Sequence, residues 1–184
     1  MSTRGKSRRA VLVESVSGLT GLSTVWLTAN YSGILAADAY AQQAATWTTT
    51  PRLAFFTDAQ AADIEAMAAQ IIPTDETPGA REARAVFFID RALVTFARNT
   101  RPVYIQGLKD LQAQTKQLVP SATTFSALTA AQQIQVLTAM EKTPFFNTVR
   151  THTVTGFFAS PVHGGNHNKV GWKLIGFDDS LDFK

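Results

Sequence analysis

The sequence predicts a mostly α-helical protein, a small domain of about five helices closed by an irregular, glycine-rich C-terminal tail. Two observations predict it. Apolar residues recur at helical spacing through the body of the chain. Thr caps and prolines stand where those runs begin and end. At 184 residues the chain is long enough for one domain with its own core.

The first helix opens at Thr57, with Gln60 three residues on completing a capping box. Ile64, Met67, Ala68 and Ile71 form its stripe, and Pro73 ends it. "PTDETPGA", from Pro73 to Ala80, is a turn-rich connector. Val86, Ile89, Leu93 and Phe96 make the second stripe. The third helix starts near Pro102, a residue suited to a first turn, with Tyr104, Leu108, Leu111 and Leu118 on one face. Thr129 and Gln132 form a second capping box ahead of Ile134, Leu137 and Met140. In the fifth segment, "FFNTVRTHTVTGFF", Val149, Thr151 and Thr153 also fit strand alternation. The Thr143–Pro144 start decides for helix.

Ahead of the body lies a separate segment, residues 1–41, and a Thr-rich linker, 42–54; the domain proper is expected over 55–184. Arg8 and Arg9 precede a mildly apolar run, and Ala39 and Ala41 sit as in an A-x-A cleavage site. The pattern fits a twin-arginine export signal, with Val11 where a Phe is usual, and implies a periplasmic protein. The plainer alternative is a basic N-terminus leading into an ordinary helix. Glu14, Asn30 and Asp38 interrupt the run, which argues against a membrane-spanning helix.

Four of the 17 basic residues and two of the 14 acids lie up to Ala41, so the body is nearly neutral. No basic cluster suited to nucleic acid stands out. The absence of cysteine excludes disulfides, Cys-x-x-Cys-His haem attachment and Cys-ligated iron–sulfur or zinc sites. No dinucleotide fingerprint, P-loop, G-x-S-x-G or H-E-x-x-H motif occurs.

What remains is "SPVHGGNHNKVGWKLIGFDD", Ser160 to Asp179. His163 and His167, with Asn166 and Asp178 or Asp179, could be read as metal ligands. Gly164 and Gly165 make a shared helical face improbable, so the H-x-x-x-H spacing loses its usual meaning. The glycines fit positive-φ turns or a backbone pressed against a partner. Trp172, Leu174, Ile175 and Phe177 would anchor the tail on the helical body, and Trp is also a common interface residue. His152 is expected to be a hydrogen-bonded core or boundary residue. Asp75 and Glu76 read as a solvated turn. Asp90, near the inward face of the second helix, needs a partner if buried, and a structural salt bridge is the expected one.

"IIPTDETPGAREARAVFFIDRAL" (Ile71–Leu93) and "FFASPVHGGNHNKVGWKLIGF" (Phe157–Phe177) together resemble the gluconate 2-dehydrogenase subunit 3 family. The closing motif carries a Pro, a Gly-Gly-Asn, a Gly-Trp and an Ile-Gly-Phe, with His163 where a Tyr is common. A twin-arginine leader, as at Arg8 and Arg9, is frequent there too. The resemblance covers roughly Phe55 to Phe177. It implies a non-catalytic small subunit of a bacterial sugar, polyol or glycoside dehydrogenase. The large subunit, of the glucose–methanol–choline (GMC) type, would hold FAD, and a cytochrome or other acceptor would take the electrons. No cofactor or metal is then expected in this chain, and membrane association would come only through partners. His163, Gly164, Gly165, Asn166, His167, Gly171, Trp172 and Phe177 are the expected interface. Two other readings compete: a free-standing periplasmic metal-dependent enzyme using His163 and His167, and an assembly factor that binds transiently.

Overall fold

The computed structural model describes residues 52–178, so the leader residues Arg8, Arg9, Ala39 and Ala41 lie outside the described residues. Six α-helices and four short 3-10 turns make up this region, and no strand occurs among the described residues. The helices are α1 (Asp58–Ile71), α2 (Ala85–Val94), α3 (Arg101–Leu118), α4 (Ala130–Met140), α5 (Pro144–Phe158) and α6 (Val170–Ile175).

Both expected capping boxes form. Thr57 and Gln60 close the start of α1, and Thr129 and Gln132 close the start of α4, each with side chain and backbone bonded reciprocally. Thr143 caps α5 by accepting from Phe146 N, with Pro144 in the first turn. Three threonines of α5 fit the helix by bonding back into it, while the buried Thr153 hydroxyl has no partner among the described residues. Thr148, Thr151 and Thr155 donate to the carbonyls four residues back (Pro144, Asn147 and Thr151), which satisfies their hydroxyls within the helix.

α5 runs against α1, α2 and α3, so it is the central strut. The main core joins Ile64 and Met67 of α1, Phe88, Ile89 and Leu93 of α2, Tyr104 and Leu111 of α3, and Phe145 and Val149 of α5. Tyr104 packs edge-on against Phe145 with ring centroids 5.8 Å apart. That contact needs Gly107, since a Cβ there would fall on the Phe145 ring. A smaller cluster, Ala68, Ile72, Ala80, Ala83, Ala85 and Phe157, receives Val170 and Leu174 of the tail.

Several sequence expectations shift. The second helix ends at Val94, because Thr95 leaves helical geometry; Phe96 lies outside α2 yet still packs on Phe88. Ile134, placed on the inner stripe of α4, is 53% exposed, while Gln133 is buried instead. Gln133 earns its place through hydrogen bonds: its amide donates to Leu128 O and accepts from Gln70. Leu118 at the end of α3 is also exposed.

Asp90 is buried, but its partners are backbone amides and not a cation. It accepts from the N–H groups of Ala54 (2.6 Å), Phe55 (3.0 Å) and Phe56 (2.9 Å). Three donors stabilise a buried carboxylate without a salt bridge. The bond to Ala54 and the packing of Leu53 also carry the folded body back into the expected linker.

Candidate functional site

The connector between α1 and α2 and the C-terminal tail meet at the end of α5. Gly79 lies so close to Ile72 O and Thr74 N that no side chain fits. Glu82 ties the turn by accepting from Thr74 Oγ1 (2.6 Å) and Gly79 N (2.8 Å). The Thr74 bond outweighs the opposing effect of desolvation and, with the Gly79 N–H, holds the Glu82 carboxyl below its ordinary value. Asp75 forms an Asx turn, accepting from Thr77 N and Oγ1 at 3.0 Å each.

An α-helix leaves its last carbonyls without intrahelical donors. At the end of α5 the tail meets each of four in succession. A Cβ on Gly165 would land on Gly156 O, and a Cβ on Gly171 would land on Phe157 O, so both positions need glycine for backbone to lie on backbone. Trp172 Nε1 donates to Phe158 O at 2.8 Å. Asn166 Nδ2 donates to Ala159 O at 2.9 Å. Gly156 in turn lets the Phe88 ring of α2 press directly onto the α5 backbone.

Asn166 organises the turn. It is fully buried, with φ 47°, a left-handed conformation that Asn tolerates better than most residues. Its Oδ1 accepts from Gly171 N (2.8 Å), and its backbone carbonyl accepts from Lys169 N (2.8 Å). The next residue, His167, donates its N–H to Ala83 O at 3.1 Å, tying the turn to the start of α2. The expected irregular tail is thus a compact set of 3-10 turns and the short helix α6. Gly164, at φ 100°, leaves room for the Arg91 guanidinium, whose Nη1 donates to Val162 O at 3.4 Å.

The residues read as an interface divide into two sets. Gly165, Asn166 and Gly171 are buried against their own chain. His163, Gly164, His167 and Trp172 are partly exposed, and Phe177 is open to solvent. Trp172 and Phe177 pack edge-on at 5.0 Å, and the Lys169 ammonium lies 5.9 Å from the centre of a Trp172 ring. Partial burial, followed by the charge of Arg84, lowers the His167 pKa. Among the described residues, no group of three or more His, Asp or Glu is placed to hold a metal ion.

His152 belongs to the core boundary. Its Nδ1 lies 3.0 Å from Tyr104 Oη, and burial pushes its pKa down to about 4. Burial likewise raises the Tyr104 phenol above its ordinary value. Sequence reading missed Arg84 near His167, Arg91 bonded to Val162 O and Lys169 over Trp172. The left-handed backbone of Asn168 and Lys169 could not be inferred from their residue types alone.

Fold and site define a small helical protein whose most distinctive motif closes the end of its own central helix. The family model for gluconate 2-dehydrogenase subunit 3 matches residues 58–179, and the chain belongs to that family. No curated protein and no solved structure matches it.

Proposed function

We propose that this chain is a non-catalytic small subunit of a FAD-dependent, GMC-type sugar, polyol or glycoside dehydrogenase complex. One observation carries the proposal: the family match extends from α1 through the tail motif, across all six helices. The absence of cysteine supports it, since thiolate-held redox centres then have no place here. Flavin chemistry would be supplied by the large subunit, with a cytochrome or another acceptor beyond it.

Two duties follow for the small subunit. Binding the native large subunit alone would stabilise it by mass action. A leader built on Arg8 and Arg9 would bring a folded, flavin-loaded partner to the periplasm. Replacing both arginines by lysine should then leave the flavoprotein in the cytoplasm, read by cell fractionation.

The decisive experiment is purification of the tagged full chain from its host, with an absorbance spectrum and mass analysis of the eluate. A stoichiometric large subunit with flavin absorbance is the expected result. A chain that elutes alone, colourless and stable would overturn the proposal. Metal analysis of wild type and of a His163→Ala/His167→Ala variant would then test the free-standing enzyme. A partner captured only during its synthesis would instead identify a transient assembly factor.

A further inference from the structure

The tail has an inner and an outer side, and their chemistry differs. The inner side is used up in covering the carbonyls at the end of α5. The outer side carries Lys169, Lys173 and Phe177, all exposed, with Trp172 between them and half-covered. Phe177 is 53% exposed although it is a large apolar residue resting on another aromatic ring. Between Ser160 and Asp178 there are two lysines, two histidines and one acid, the exposed Asp178 beside Phe177. Arg84, at the start of α2 beside His167, adds a further positive charge to this end of the molecule.

The backbone under this surface is strained. Lys169 has φ 57° and Asn168 φ 56°, a left-handed conformation that is unfavourable for a lysine. This conformation carries the Lys169 ammonium over Trp172. The Asn166 bonds and the two close-packed glycines tie the segment to the end of α5, so its outer side chains are presented from a hydrogen-bonded backbone.

We infer that Lys169, Trp172, Lys173 and Phe177, flanked by Arg84, form the docking surface for the flavin-bearing subunit. The matching surface is acidic and has an apolar recess for the Phe177 ring. This inference rests on the accessory-subunit reading and adds the face and the partner chemistry to it. A net positive charge on one side of an aromatic anchor steers association and sets register, while the buried ring supplies much of the affinity.

The test uses the full chain and the flavin-bearing subunit that copurifies with it, with affinities measured by titration. Three variants are compared: Lys169→Glu/Lys173→Glu, Phe177→Ala, and Ile105→Ala on the outer face of α3, each checked for unchanged thermal unfolding. The charge reversal should weaken binding by about a hundredfold and Phe177→Ala by about tenfold. Rising salt should weaken the wild-type complex, and Ile105→Ala should leave it intact. Wild-type affinity in both tail variants overturns the surface but leaves the accessory-subunit reading standing. Loss of binding in Ile105→Ala alone places the interface on α3 and also overturns it. Self-association of the purified chain that the tail variants abolish, with the hetero-complex intact, assigns the surface to a second copy. A wild-type chain that binds no flavoprotein removes both readings together.

Discussion

Replacing Asn166 should detach the tail from the end of α5. Asn166→Ala removes the bond to Ala159 O and the bond from Gly171 N, leaving an acceptor and a donor without partners. Each loss costs about 1–3 kcal/mol in a buried setting. Ala at φ 47° adds about 1–2 kcal/mol of backbone strain. The sum, about 3–8 kcal/mol, is a large part of the 5–15 kcal/mol typical of a small domain. Asn166→Gly separates the contributions, because it keeps the left-handed backbone and loses only the side-chain bonds. It should be about 1 kcal/mol milder than Asn166→Ala. Asn166→Asp keeps an acceptor for Gly171 N but sets a carboxylate against Ala159 O. Protonation restores a donor, so this variant should regain stability as pH falls, opposite to an ordinary paired carboxylate. Urea unfolding gives the totals, and amide exchange at Gly171 with indole exchange at Trp172 gives the local effect. An Asn166→Ala protein within about 0.5 kcal/mol of wild type, with Gly171 still protected, would refute the capping role.

Three further outcomes follow from the core. His152 has an ordinary pKa of 6.5 lowered to about 4 by burial, so the unfolded chain binds the extra proton first. Its contribution to stability is complete above pH 6.5 and is lost as pH falls toward 4, about 3 kcal/mol in all; chemical denaturation across that window, compared with His152→Phe, checks it. Asp90→Ala strands three backbone N–H groups and should cost about 3 kcal/mol or more, with exchange at Phe56 N rising together with global unfolding. Gly107→Ala would normally stabilise a helix by about 1 kcal/mol. Here the new methyl meets the Phe145 ring, so the sign should reverse to a loss of about 1–3 kcal/mol, read as a lowered Tm.

Local rules made much of the helical scaffold legible. Thr57 with Gln60 and Thr129 with Gln132 are reciprocal caps encoded three residues apart, and both form. Thr143 and Pro144 likewise decided an ambiguous run in favour of helix. Periodicity was less exact about which flank of a helix turns inward. On α4 the apolar spacing selects Ile134, but the neighbouring Gln133 is buried because Gln70 and Leu128 satisfy its amide. For Asp90 the sequence indicates that a buried carboxylate needs partners. It does not indicate that they are backbone amides some 35 residues earlier in the chain.

The tail draws the same boundary at the candidate site. Residue types alone marked Gly164, Gly165, Asn166, Gly171 and Trp172 as unusual, because glycines next to Asn favour left-handed turns and close approach. What they approach is a tertiary fact. Gly165 and Gly171 lie on carbonyls of α5, and Asn166 and Trp172 donate to the carbonyls that follow. The sequence by itself determined five of the six helices among the described residues, the Thr57, Thr129 and Thr143 caps and the position of the special segment, since these depend on neighbours within a few residues, but not the short helix α6 inside the tail. The tertiary structure decided which side of that segment is buried and which displays Lys169, Lys173 and Phe177, because facing is set by the distant backbone it packs against.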